Sequence, residues 1–438
     1  MEHTIWEKTS LPQFPPLRGE VRTDVLVIGG GLTGLLCARL LTDAGVDTVL
    51  VEANRLCGGT TGHTTAKVTL QHGAVYHKLL RTLGKERTQM YLAANAAALE
   101  QYRDFCCRID CGFTEQDAYV YARRRSDKLH RELAALEELG VAAEFEPCLP
   151  LPFPTAGAIR LEGQAAFDPL RFAAGILTGL RIYEGTAVRE LVGLEAVTDT
   201  GRIRAKKIVV ATHFPFLNKH GSYFLKLYQQ RSYVLALEGA ADVQGMYLGV
   251  EENGLSFRNA EGLLLLGGGG HRTGRRGGGW TALTAAAKRY YPDARICCRW
   301  AAQDCMTLDG APYIGPYSAR TEGVFVATGF NKWGMTSAMA AAMILRDLVQ
   351  GRENPWAAAF SPERSILRPQ LAVNGLEAVR SLVTPAGPRC PHMGCALKWN
   401  AAERSWDCPC HGSRFSERGA LLDGPATGDL PRKKDGEG

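Results

Sequence analysis

From its first fifty residues the chain alternates continuous apolar runs with stretches of helical period. Asp24-Val-Leu-Val-Ile28 and Thr48-Val-Leu-Val-Glu52 are apolar runs of the length of a strand buried on both faces. The helical pattern between them, ending near Ala44 and Gly45, makes the segment a βαβ unit with parallel strands. Residues 76–109 are helical in composition, and Leu129, Leu133 and Leu136 recur at i, i+4 and i+7 on a second amphipathic helix. Residues 223–237 and 263–266 have the β-branched, aromatic or unbroken apolar character of sheet. Two further apolar runs cover residues 207–212 and 323–329, the second leading into a helical stretch that ends at Leu348. This order predicts an α/β domain from about 1–75, 150–215 and 306–360, interrupted by an α+β domain from 76–149 and 216–305. Residues 355–369, bounded by prolines, read as a hinge to a small C-terminal module over 366–438. No internal repeat is visible.

Chemistry enters at the first strand-to-helix turn. Gly29, Gly31 and Gly34 follow the strand at once, a spacing that lets the backbone approach a pyrophosphate at a helix N-terminus. Glu52 ends the second strand, where an acidic side chain bonds a ribose hydroxyl. The fingerprint alone leaves FAD and NAD open. Three later features favour FAD: the Gly-Gly turn with Gly59, Thr60 and Thr61; the strand ending at Thr212; and Gly329, with Gly334 and Met335 opening the late helix. These resemble the glutathione-reductase-like Rossmann class of flavoproteins.

The C-terminal region holds a second signature. Cys390-Pro-His392 and Cys408-Pro-Cys410-His411 deliver one Cys and one His from each of two loops. A Rieske [2Fe–2S] centre, with two thiolates on one iron and two imidazoles on the other, needs that set, and a tetrahedral zinc site would accept it as well. The flanking Gly394-Cys395 and the run His411-Gly412-Ser413-Arg414-Phe415 resemble the respiratory-type Rieske proteins, the iron–sulfur subunits of cytochrome bc complexes. That resemblance implies a small all-β cluster-binding domain over 366–438, with Cys390, His392, Cys408 and His411 as ligands and a Cys395–Cys410 disulfide between the loops. Fewer than thirty residues separate Ser361 from Pro388, with no alternating strand pattern, so the base sheet usual in Rieske domains is expected to be truncated.

Residues 6–360 resemble the D-amino-acid-oxidase-like FAD-dependent oxidoreductases. The likeness is carried by the fingerprint, the segment from Gly59 to Lys67, Phe167-Asp168-Pro169, Gly185 to Val188, Asp309 to Gly315 and the Ala327-Thr328-Gly329 block. It implies a flavin site between two domains and hydride removal from a carbon beside an amine, with a terminal Rieske fusion forming a bacterial subgroup. Val188 joins the FAD contacts on this basis. His63 lies where dimethylglycine and sarcosine dehydrogenases carry a histidine joined to flavin, although Gly62 replaces their tryptophan. Lys67 and His72 are candidates for charge stabiliser and base, and Arg231 with Tyr233 could hold a substrate carboxylate or belong to a structural ion pair. Trp300, Asp304 and Asp309 flank the Gly-rich approach to the flavin, Asp309 reading most simply as a turn residue.

Composition narrows the class without choosing a substrate. With 438 residues and 45% apolar content the chain exceeds one ordinary domain. Its net charge of +6 is small, and Arg123-Arg124-Arg125 and Arg432-Lys433-Lys434 read as solvated runs, so no nucleic-acid footprint appears. Of thirteen cysteines, nine lack ligand spacing, as reduced thiols would. No signal peptide or spanning segment is recognisable, which predicts a cytoplasmic protein. The expected activity is oxidation of an amine or amino acid, with electrons leaving the flavin singly through the cluster to an external acceptor and with His392 and His411 as the exposed exit. An O2-using oxidase with a structural cluster module and a redox sensor without organic turnover are the alternatives.

Overall fold

The computed structural model of the chain describes residues 3–217, 220–385 and 387–431; the run Arg432-Lys433-Lys434 lies outside them. The βαβ unit forms as expected. Strand Gly19–Ile28 pairs in parallel with Thr48–Val51 on one side and Gly201–Val210 on the other, Val27 facing Leu50 and Val209. The sheet continues outward through Val324–Thr328 and Tyr313–Pro316 at one edge and Arg181–Tyr183 at the other. Val25 and Val27 enter one hydrophobic core while Leu26 and Ile28 enter a second. Alternate side chains therefore bury opposite faces, which is why the run is apolar without interruption. Helices Leu32–Asp43 and Gly334–Val349 pack together on the first of these faces.

A second sheet runs in the order Arg295–Thr307, Leu227–Glu238, Leu263–Arg272, Ser256–Ala260, Met246–Gly249, Thr114–Ala122, Gly157–Ala166 and Lys67–Val68. Two of these strands correct the expected boundaries. Lys67–Val68 and Gly157–Ala166 belong here and not to the first sheet, because Gly157–Ala166 pairs antiparallel with Thr114–Ala122, Ile159 facing Val120. That pairing spans about forty residues, and no local pattern encodes it. The helical stretch over 76–109 also breaks in two, at Gly84, whose φ of +81° ends Tyr76–Leu83 before Lys85–Cys106 begins.

The third sheet, Lys398–Asn400, Ser405–Asp407, Arg414–Ser416 and Leu421–Asp423, is antiparallel throughout. Upstream of it stand the helix Pro369–Val383 and one isolated bridge, Arg389 to Ala396, where base strands would otherwise lie. The second sheet supplies the missing support. Gln229 Nε2 donates to His411 O (2.9 Å) and Gly424 O (3.1 Å), and Gln303 Nε2 donates to Gly412 O and Asp423 Oδ2 (both 2.9 Å). Arg272 reaches Pro409 O and Cys410 O. Gly412 is needed at this seam, since a Cβ there would lie 2.6 Å from Gln229 Cβ.

The predicted hinge is clamped. Arg364 is buried with Asp309, its Nε 2.6 Å from Oδ2 and its Nη2 2.9 Å from Oδ1; its Nη1 donates to Pro312 O, and its guanidinium lies 3.8 Å from the Tyr313 ring centroid. Burial opposes ionisation of Asp309, but Arg364 outweighs it and holds the carboxyl below its ordinary value. Asp309 also accepts from Ala311 N, so the turn reading and the ion pair both hold. Replacing Arg364 by Met strands a buried carboxylate and should cost about 3–5 kcal/mol in urea unfolding. In the parent, the pair's contribution should be present at neutral pH and lost as pH falls through the depressed Asp309 pKa.

Candidate active site and cluster loops

One cleft of about 1590 Å³ runs between the two large sheets, from the turn at Gly29 past Glu52, residues 58–65 and Lys67, to Asn331, Trp333 and the cluster-module residues 421–427. At its first end the glycines are sterically required. A Cβ on Gly34 would sit 1.8 Å from Gly29 O, and one on Gly29 (φ +111°) would sit 2.5 Å from Ala211 O, whereas one on Gly31 would meet only Thr61 Oγ1, at an ordinary contact distance of 3.5 Å. The helix N-terminus is thus pressed against the strand and opens on the cleft beside the Thr61 hydroxyl, a placement that suits a pyrophosphate. Glu52 accepts from Gly30 N (2.7 Å) and Asn54 N (2.8 Å), and burial raises its pKa. Thr61 Oγ1 accepts from Leu32 N at 3.0 Å and Thr60 Oγ1 donates to Gln303 O, so both side chains brace the cleft wall. Val188 and Thr212 line the same cleft. Glu184, which no motif marked, is buried here and accepts from Phe14 N, Leu56 N and Arg55.

Midway along the cleft lie the catalytic candidates. Lys67 Nζ donates to Tyr247 O at 2.8 Å and to Ser256 Oγ; burial, and then the Arg258 guanidinium, push its pKa down to about 7. His72 does not fit the expected role of base. Its Nδ1 is hydrogen-bonded to Tyr91 Oη (2.5 Å) and its Nε2 to Thr336 Oγ1 (2.9 Å), and burial lowers its pKa to about 3. Stacked on Trp333 with centroids 4.9 Å apart, it braces the start of the helix containing Gly334 and Met335. Gly329 (φ +74°) makes the turn before that helix. His63 Nδ1 contacts Gly59 O at 2.8 Å, and Trp300 Nε1 donates to His63 O, so the imidazole rim of the cleft is tied to the second sheet. Asp304 accepts from Ser232 Oγ.

Arg231 and Tyr233 line the cleft and already hold a carboxylate, that of Glu403 in the cluster module. Arg231 forms a two-point ion pair with it, Tyr233 Oη donates at 2.9 Å and Arg414 Nη2 at 2.8 Å. Of the two readings open from the sequence, the geometry takes the structural ion pair.

The two C-terminal loops meet. A disulfide joins Cys395 and Cys410, whose Cα atoms are 6.8 Å apart. The Cys390 and Cys408 thiols share a hydrogen bond, which holds Cys390 down at about 6 and pushes its partner up. The His392 and His411 rings lie 5.0 Å apart, edge to face. His411 Nε2 donates to Phe224 O at 3.0 Å, and its Nδ1 is buried with no hydrogen-bond partner among the described residues. The backbone bond therefore fixes the tautomer and leaves a buried lone pair for a metal. Cys395, Cys408 and Cys410 also cluster, but two of them are consumed by the bridge. The expected exposed exit is corrected in part: His411 is 6% exposed and faces inward, between Phe214 and Phe224, while His392 is half-buried.

Residues 24–348 match the FAD dependent oxidoreductase family model, and residues 382–433 match that of the Rieske [2Fe-2S] domain. The chain belongs to the FAD dependent oxidoreductase family. YhfW of Bacillus subtilis (strain 168), named for a Rieske 2Fe-2S centre, is 35% identical over 97% of this chain and 96% of its own length. The chloroplastic iron-sulfur subunit of the cytochrome b6-f complex of Oryza sativa subsp. japonica is 43% identical over 56 residues, 13% of this chain and 20% of the subunit. Glycine oxidase from Geobacillus kaustophilus superposes with a TM-score of 0.66 at 21% identity, covering 79% of this chain and 99% of that one, and shows the shared fold. The cofactors of this oxidoreductase are accordingly FAD and a [2Fe–2S] cluster, which fit the glycine turn and the two loops. Among the described residues, no helix is long and apolar enough to cross a membrane.

The two sites should fail separately. Gly34→Ala is expected to lose FAD absorbance while keeping iron and acid-labile sulfide. Cys395→Ser should lose most of the iron and keep FAD. Cofactor analysis of both purified variants checks this, and simultaneous loss of both groups in either would contradict it.

Proposed function

We propose that this oxidoreductase is an amine or amino-acid dehydrogenase that passes electrons from substrate through flavin and cluster to an external acceptor. The observation that carries the reading is the inward orientation of His411, whose ring edge meets Phe214 and Phe224, with Phe214 itself on the wall of the cleft that holds the dinucleotide turn. A module serving structure alone has no need to turn a ligand imidazole toward the cleft wall. The bound flavin supplies a two-electron acceptor for hydride from the carbon beside the amine, and the cluster accepts electrons one at a time.

The chain's own contribution is control of the proton. Lys67 is the buried amine best placed on the cleft for this task, because two of its positions are held by Tyr247 O and Ser256 Oγ and, in the neutral form, its lone pair is free to take a proton from a substrate ammonium. Arg258, fixed on Thr65 O and Ala66 O, keeps positive charge beside it and favours that neutral form. His72 and Trp333 hold the opposite wall.

Anaerobic mixing with a panel of amines and amino acids, following flavin and cluster absorbance together, tests the reading. Flavin bleaching followed by cluster reduction is the expected result, and a cluster that stays oxidised beside a fully reduced flavin would contradict the relay. Because Lys67 must be neutral to accept a proton, the bleaching rate should rise with pH through about 7. Lys67→Met should flatten that profile and slow bleaching by roughly a hundredfold.

A further inference from the structure

The helix Pro369–Val383 is inside out. Its polar side chains face the protein: Asn374 Oδ1 accepts from Arg272 Nη1 at 2.8 Å, Glu377 pairs with Arg275, and Ser381 is buried. Its apolar side chains face outward, with Leu376 72% and Val383 73% exposed and Val379 and Leu382 beside them; Val373 borders the cleft, and Leu367, just before the helix, is 81% exposed. Single exposed apolar residues mean little, but a contiguous face does. Of the twelve large apolar side chains exposed among the described residues, nine lie between 367 and 422, so the pattern belongs to the cluster module and not to the surface at large.

Charge selects the occupant. From residue 369 to 399 the only carboxylate is Glu377, turned inward onto Arg275, whereas Arg380, Arg389 and Lys398 are exposed. A face of aliphatic side chains on a segment whose own exposed charges are cationic is complementary to an anionic lipid surface, into which an in-plane helix sinks its apolar side while basic residues meet the headgroups. The same face is tied to the cluster. Arg389 donates to Ser381 O, Leu382 O and Thr384 O at the helix end and to Gly394 O in the first ligand loop. We infer that the outward face of Pro369–Val383 docks this oxidoreductase on an anionic bilayer surface, bringing the Cys390 loop to the membrane. The inference is independent of which substrate the flavin oxidises.

The test uses the full-length holoprotein and sedimentation with vesicles of phosphatidylcholine and phosphatidylglycerol (about 70:30) or of phosphatidylcholine alone. Binding to the anionic vesicles, weaker on the neutral ones and reduced by added salt, is expected. Leu376→Glu should lower the bound fraction roughly tenfold, and Arg380→Glu should lower it less, each with FAD and iron content unchanged. No sedimentation with anionic vesicles, or equal binding by parent and Leu376→Glu, would overturn the proposal. So would a parent dimer that Leu376→Glu converts to monomer, since a second copy would then be the occupant.

Discussion

Two glutamine side chains carry the arrangement on which the rest depends. Gln229 and Gln303, on adjacent strands of the second sheet, satisfy His411 O, Gly412 O, Gly424 O and the Asp423 carboxylate, so the cluster loops are hydrogen-bonded to a neighbouring domain and not to a base of their own. A module of four three-residue strands buries too little apolar surface to stand alone. Its own core cluster centres on Cys390, Cys395, Cys408, Cys410, Leu397 and Phe415. The disulfide, the metal and the docking seam therefore share the work that a base sheet does elsewhere.

Docking also sets the direction in which the module can act. The Arg231–Glu403–Arg414 cluster is nearly dry, and Glu403 stays ionised against its burial because two guanidiniums face it. Ion pairs of this kind add little net stability but fix register. Here they fix which side of the module meets the two larger domains, and the result is His411 against Phe214 and Phe224. Arg231 and Tyr233 are drawn into this latch and away from a substrate.

Much of the fold was legible because buried parallel strands and glycine turns are locally encoded: residues 24–52 needed no distant information. The two ligand loops were legible for the same reason, since each presents its Cys and His within a few residues. What escaped was set by pairing across sequence. Gly157–Ala166 reads like a continuation of the first domain until Thr114–Ala122 pairs with it. Residues 355–369 read as a hinge because nothing local reveals that Arg364 finds Asp309, 55 residues away. Glu403, Gln229 and Gln303 belong to no motif, and only the docked seam gives them roles. His72 is the opposite case: a plausible base by position, and disqualified because both ring nitrogens are occupied.

On the proposed relay, the docked seam makes the cluster the immediate recipient of electrons from the flavin cleft. Single-turnover mixing of anaerobic protein with a substrate that bleaches the flavin, comparing the parent with the Gln229→Ala/Gln303→Ala double variant, addresses it most directly. The account predicts an unchanged first phase of flavin bleaching and a second phase of cluster reduction slowed at least roughly tenfold, in protein that still contains iron and sulfide. Identical second phases in parent and variant would contradict it.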